Sequence, residues 1–244
     1  MPVVTVIVAL LAGLAAGAAA RPLIFARAVP RGEPTRTACT SCSAHYPAPG
    51  LRGRLQAVTG RCPACREKAG PPAGLPEALT GAAFAALAVT GASGWTGAAQ
   101  YWLAACGAAL AIIDLKVHRL PDVLTLPASI GTLLLLAGAA LAGEPGNFWR
   151  ALTAAGLVTA VYLALVVTGM GMGDVKLAPA VGALLGWSGW AVVFRGVFAG
   201  FALAAVVALV LTLVWHVSGK GRLAFGPYMI TGAVAISVLA TTLG

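Results

Sequence analysis

Apolar residues along this chain come in long blocks, each closed by glycine, proline or a small cluster of charge. Crossing the hydrocarbon core of a bilayer takes a helix of about 20 such residues. Blocks of suitable length fall at approximately 3–21, 77–93, 98–114, 122–142, 148–168, 175–188, 191–215 and 224–243. They predict an all-α, polytopic membrane bundle of about eight transmembrane helices; seven or nine would also fit. The block at 175–188 is short, and its separation from the next rests on Gly186, Gly189, Trp187 and Trp190. Residues 27–76 contain no such block. The expected organisation is therefore a first transmembrane helix and its cytoplasmic end over 1–26, a cytoplasmic loop over 27–76, and a seven-helix membrane domain over 77–244.

Composition turns that pattern into an exclusion. The 244 residues are 59% hydrophobic and 9% charged, with mean hydropathy +0.91, whereas soluble domains carry roughly 25% charged residues. So few charges cannot coat a water-soluble globule of this size. The 31 glycines suit close helix packing in lipid, where small side chains let backbones approach. Twelve Arg against four Lys also fit a GC-rich genome, which would raise glycine without a structural reason. No internal repeat or dinucleotide-binding glycine pattern is present.

Charge distribution predicts an orientation. Nine of the sixteen Lys and Arg lie in residues 21–68, opposed only by Glu33 and Glu67. Short basic loops stay cytoplasmic. With this segment inside, parity brings Lys116, Arg119, Lys176, Lys220 and Arg222 to the same side and leaves Arg150 and Arg195 opposite. The N-terminus is then outside. A rival reading makes residues 1–20 a cleaved signal peptide ending at Ala18-Ala19-Ala20, but Met-Pro-Val-Val lacks the basic start such peptides carry. The basic loop is read as a topology anchor, not a nucleic-acid site.

Within that loop, Cys39-x-x-Cys42 and Cys62-x-x-Cys65 are separated by 19 residues. Two such pairs suit a four-thiolate zinc site that closes a loop too small to build its own core. Two disulfides are the alternative, disfavoured where thiols are kept reduced. His45 is close enough in sequence to replace one cysteine, but a surface histidine is the expected role. Cys106, inside a block, is expected to serve packing. A full four-cysteine shell would hold shape and leave no position to activate water.

Asp114, Asp122 and Asp174 are the chain's three aspartates. Asp114 ends the third block and Asp174 opens the sixth, in Gly169-Met-Gly-Met-Gly-Asp-Val-Lys. Ionisable groups at membrane depth are costly and mark candidate functional sites. Two blocks lie between them, so both carboxyls reach the same face. Paired carboxyls in a low-dielectric site share a proton, which suits one as general base on water and the other as proton donor. Gly169, Gly171 and Gly173 would leave room for an extended substrate beside Asp174, with Lys116 and Lys176 as supporting charges. The plainer reading is helix-end capping, since an Asp at a helix N-terminus favours the macrodipole; it accounts for Asp174 better than for Asp114.

These motifs resemble, in order, those of the bacterial type IV prepilin peptidases, polytopic Gly-x-Gly-Asp aspartyl proteases. Asp114-Leu-Lys-Val-His-Arg-Leu-Pro-Asp122 is similar to the family's first aspartate segment. Gly171-Met-Gly-Asp174-Val-Lys resembles its Gly-x-Gly-Asp motif, and Phe225-Gly226-Pro227-Tyr228 its Phe-Gly-Pro-Phe. The cysteine pairs followed by Glu77-Ala-Leu-Thr-Gly81 resemble its first cytoplasmic loop. The resemblance implies a cut that removes the short basic leader from a prepilin or pseudopilin, at the cytoplasmic face of the inner membrane, without a cofactor. It makes Asp114 and Asp174 the catalytic pair and Asp122 structural. Many such proteins also methylate the new N-terminus with S-adenosylmethionine. There this chain departs: Gly17-Ala18-Ala19-Ala20-Arg21 stands where relatives commonly show Gly-Ser-x-x-Asn, which puts methyl transfer in doubt. Two other readings stay open: a non-enzymatic pilus-assembly or transport protein using the carboxyls as an ion site, and an intramembrane aspartyl protease with another substrate.

Overall fold

The computed structural model describes residues 3–30, 32–46, 50–215 and 224–243. Among them run the helices α1 (Val3–Arg27), α2 (Gly50–Ala57), α3 (Leu75–Val89), α4 (Gly94–Val117), α5 (Asp122–Leu141), α6 (Phe148–Leu165), α7 (Met172–Ser188), α8 (Trp190–Trp215) and α9 (Gly226–Leu243). All but α2 answer the apolar blocks one for one; α2 lies inside the cysteine loop. No strand forms among the described residues, only the isolated antiparallel bridges Ala38–His45 and Arg61–Lys68.

Among the described residues, five helical stretches are long and apolar enough to cross a membrane: Val3–Arg27, Gly94–Val117, Asp122–Leu141, Phe148–Thr168 and Trp190–Leu213. Leu75–Val89 and Gly226–Ala240 are shorter apolar helices. The chain is a multi-pass membrane protein. The short predicted block becomes α7, whose 17 residues extend about 26 Å at 1.5 Å per residue. From Asp174 to Trp187 nearly every residue of α7 is buried, because α4, α5, α6, α8 and α9 all touch it. A helix hydrophobic all round belongs in the middle of a bundle. Side chains such as Phe194, Phe198, Val206 and Leu213 on α8 stay exposed, as a lipid-facing surface requires.

Small residues set the closest approaches. A Cβ on Gly13 of α1 would come within 2.7 Å of the Thr80 carbonyl oxygen on α3. One on Gly182 of α7 would meet the Ala154 carbonyl of α6 at 2.6 Å, and one on Gly232 of α9 would meet the Gly200 nitrogen of α8 at 2.6 Å. Where lipid gives no hydrophobic drive between helices, such contacts supply the packing.

The alternating helices give the bundle two distinct ends. At one end the first turns of α4, α6 and α8 carry Trp95, Trp149 and Trp190, all exposed, the position of an interfacial aromatic belt. Here the loop residue Glu144 accepts the Trp95 N–H at 2.6 Å and the Thr96 N–H at 2.9 Å. It thereby caps α4, whose own N-cap residue Ser93 makes no side-chain cap. Partial burial works against the Glu144 carboxylate, but the Thr96 hydroxyl and the two amides outweigh it and hold its pKa below the ordinary value. The other end holds the cysteine loop and both candidate aspartates.

Between α1 and α3 lies a buried ion pair that the apolar blocks concealed. Arg21 donates from Nε and Nη2 to the two oxygens of Glu77, and its remaining donors reach the Pro71 and Pro72 carbonyls at 3.1 and 2.9 Å. Arg21 is 1% exposed. The pair ties the first helix to the exit of the cysteine loop. Removing one partner strands a buried charge, which costs about 3–5 kcal/mol. Arg21→Met should therefore lower the melting temperature of the detergent-purified protein sharply, and Arg21→Met/Glu77→Met should recover most of the loss. A single variant that melts like the wild type would contradict this assignment.

Candidate functional site

Asp114 sits in the last turn of α4. The helix stops one turn later because His118 adopts a left-handed conformation (φ 50°), its N–H bonded to the Asp114 carbonyl at 2.8 Å. Asp174 is the third residue of α7. Ahead of it a 3-10 turn, Val166–Thr168, ends at left-handed Gly169 (φ 101°). Extended Gly171 then turns the chain into α7, and its carbonyl accepts the Asp174 N–H at 3.1 Å. The two carboxylic residues are 5% and 6% exposed and close enough to act on one another electrostatically.

Leu120 joins the two segments. A Cβ on Gly173 would lie 2.8 Å from the Leu120 Cβ, and one on Gly226 would lie 3.3 Å from a Leu120 methyl and 3.0 Å from Asp114 Oδ2. The Gly226 N–H donates to Asp114 Oδ2 at 3.1 Å. Asp174 Oδ1 has no hydrogen-bond partner among the described residues. The arrangement is a pair of carboxyls at the mouth of a bundle, one oriented by a backbone amide and one with an acceptor oxygen unengaged. Such a pair can hold one shared proton and pass it between oxygens.

The predicted supporting residues have varied surroundings. Gly171 is exposed, and the nearest atom to a Cβ there would be Asp174 Oδ2 at 3.2 Å. Gly173 does not leave open space, as Leu120 fills it. Lys176 pairs with Asp122 at 2.6 Å on the exposed surface. Lys116 reaches the Gly70 carbonyl at 3.4 Å, and Arg119 the Pro30 carbonyl at 3.4 Å. These two cations fasten the cysteine loop against the end of α4. Lys220 and Arg222 lie outside the described residues.

In the loop, two turns of the same design face one another. The Cys39 N–H meets the Ala44 carbonyl and the Ser43 N–H the Cys39 carbonyl; the Cys62 N–H meets Glu67 and the Arg66 N–H meets Cys62 in the same way. Ser43 and Arg66 take the same left-handed conformation, φ 58° and 60°. The four Sγ atoms lie within 4.8 Å of one another, with Cys39–Cys65 and Cys42–Cys62 both at 3.7 Å. A disulfide needs about 2.05 Å. Four thiolates bound to zinc at about 2.3 Å place their sulfurs about 3.8 Å apart, so the cluster fits that ion. Without a cation, amides of Ser41 and Cys42 draw the Cys39 pKa down to about 6. At Cys65 the Glu67 amide works in the same direction, but burial and the other three thiols push it up to about 12. A dication removes that opposition among crowded sulfurs. Tyr46 and Phe25 complete a small core beneath them, their rings 4.7 Å apart edge to face.

Some site residues were beyond sequence reasoning. The Asp114–Gly226 contact spans 112 positions, and nothing in local spacing signals it. Leu120 lies between the apolar blocks ending at 114 and starting at 122, where local pattern gives it no packing role. Tyr162, whose hydroxyl is buried without a partner among the described residues, stands inside an apolar block with no local signal to mark it.

A bundle with paired buried carboxyls at one end, and a four-thiol loop fastened over that end, defines a multi-pass membrane protein with a candidate aspartate-pair site. Residues 101–217, which include both aspartates, match the Type IV leader peptidase family. It is 36% identical over 189 residues to a prepilin leader peptidase/N-methyltransferase of Aeromonas hydrophila, covering 73% of this chain and 62% of that protein. It is 34% identical over 197 residues to one of Burkholderia pseudomallei strain 1026b (73% and 58%), and 32% identical over 178 residues to one of Neisseria gonorrhoeae (70% and 58%). The chain thus spans roughly 60% of the length of these curated relatives. No solved structure matches it.

Proposed function

We propose that this chain is a membrane aspartyl endopeptidase that removes the short basic leader of type IV prepilins or pseudopilins. Asp114 and Asp174 are its catalytic pair. The carrying observation is that two aspartates sixty positions apart are buried together at one end of the bundle. The ionised carboxyl takes a proton from water as its oxygen attacks the scissile carbonyl, and the protonated one donates to the carbonyl oxygen. Collapse of the tetrahedral intermediate returns a proton to the departing amine. Gly171, exposed beside Asp174, leaves an edge for an extended leader junction while the substrate helix stays in lipid. Gly173, Lys116 and Lys176 support the site indirectly, through the contacts described above.

The positive-inside bias supports placing this end at the cytoplasmic face of a bacterial inner membrane, with the N-terminus outside. The division into 1–26, 27–76 and 77–244 follows from the same topology. Cys39, Cys42, Cys62 and Cys65 hold one structural zinc, which takes no part in the cut. Methyl transfer from S-adenosylmethionine is the second activity carried in the relatives' names. An ion-site role for the same carboxyls leaves the cysteine loop without a purpose.

Co-expression with a prepilin, followed by mass measurement of the product, tests the reading. Loss of the leader is expected, and a further methyl group on the new N-terminus reports the second activity. A prepilin recovered with its leader intact would overturn the proposal.

A further inference from the structure

Beside the aspartate pair lies a group the proposed chemistry does not yet use. Tyr162 of α6 is fully buried, and its ring sits among aromatic neighbours, 5.8 Å from Phe201 and 5.9 Å from Phe225, centroid to centroid. Phe225 is followed directly by Gly226, whose amide holds Asp114. The ring is thus locked against the segment that orients one carboxyl. Its hydroxyl has no hydrogen-bond partner among the described residues, and neither has Asp174 Oδ1. Asp174 follows Gly173, and Gly173 and Gly226 pack against the same residue, Leu120, so this carboxyl and the ring border one contact among three segments.

Packing alone does not account for this arrangement. A buried hydroxyl without a partner is destabilising, and replacing it with an apolar group of the same shape is nearly neutral or stabilising. Phenylalanine would fill the same aromatic niche. A phenol, which donates one proton, beside a carboxyl oxygen with a free acceptor site is a complementary pair. Neither atom makes a direct hydrogen bond among the described residues, and a buried water with two or more polar partners is what satisfies such groups.

We infer that Tyr162 is a positioning residue for the aspartate pair: through one shared water, its hydroxyl fixes Asp174 Oδ1 and so the water that this carboxyl activates. The inference rests on the peptidase reading. It assigns to α6 a role beyond packing and makes the site a triad of Asp114, Asp174 and Tyr162.

The test compares wild type and Tyr162→Phe as full chains in lipid nanodiscs, with a purified prepilin as substrate. Misplacing a reacting group by about 1 Å can cost on the order of 100-fold in rate. The variant should lose about 10- to 100-fold in kcat with KM unchanged. Its pH–rate profile should be displaced, and its melting temperature should be equal to or above that of the wild type. An unchanged kcat, or a loss of kcat explained by a lowered melting temperature, overturns the inference and leaves the peptidase reading intact. A wild-type chain that does not cleave overturns both.

Discussion

Asp174→Asn should abolish leader cleavage in a protein that still inserts and purifies as the wild type does, and Asp114→Asn should do the same. The substitution keeps the shape of the side chain and removes only its ability to ionise or exchange a proton. At Asp114 the Gly226 amide still finds a carbonyl oxygen to bond, so the first turn of α9 should stay in place. Loss of positioned acid–base chemistry costs about 10²- to 10⁴-fold, enough to make processing invisible in co-expression. Asp122→Asn is the internal control. Asp122 pairs with Lys176 on the exposed surface, and exposed ion pairs contribute little, so cleavage should remain within a few-fold of wild type. Processing by either Asn variant at the wild-type rate would remove the aspartates from the mechanism.

The second large effect concerns the loop. Purified, reduced protein should contain one zinc per chain, lost on Cys39→Ser or Cys62→Ser. The two substitutions strike different turns of the same design, so they should act alike. The small core of Phe25, Tyr46, Ala57 and Ala69 should not hold this loop without the metal, because binding and folding are one event in so small a unit. Limited proteolysis should accordingly cut both variants within 27–76 while the helices remain protected. A metal-free wild type, or a single substitution that leaves zinc in place, contradicts the four-thiolate site.

Much of the fold was legible because lipid is a strict solvent. Each apolar block became a helix, since a backbone crossing hydrocarbon has few other ways to satisfy its amides. Boundaries were less legible where a distant residue sets them. Helix α4 starts at Gly94, not near 98, because Glu144 from another connection caps its first amides. The first helix runs to Arg27, past the expected end near 21, because Glu77 answers the charge of Arg21 inside the bundle. The aspartates could be nominated from the cost of charge at membrane depth and matched to one face by counting spans. Their neighbours could not. Leu120 packs on both Gly173 and Gly226, a relation among three segments that no local pattern encodes.

Helix α4 also works as a ruler. It carries exposed Trp95 near its beginning and Asp114 near its end, nineteen positions later, a rise of about 29 Å. That length nearly equals the roughly 30 Å hydrocarbon thickness of a typical bilayer. With the indole moored among the far headgroups, the acid is delivered to the near water boundary, at the depth where a leader would leave the lipid. Bilayer thickness would then be a control on the proposed reaction: reconstitution into markedly thicker lipids should draw the pair inward, away from water and from a leader junction.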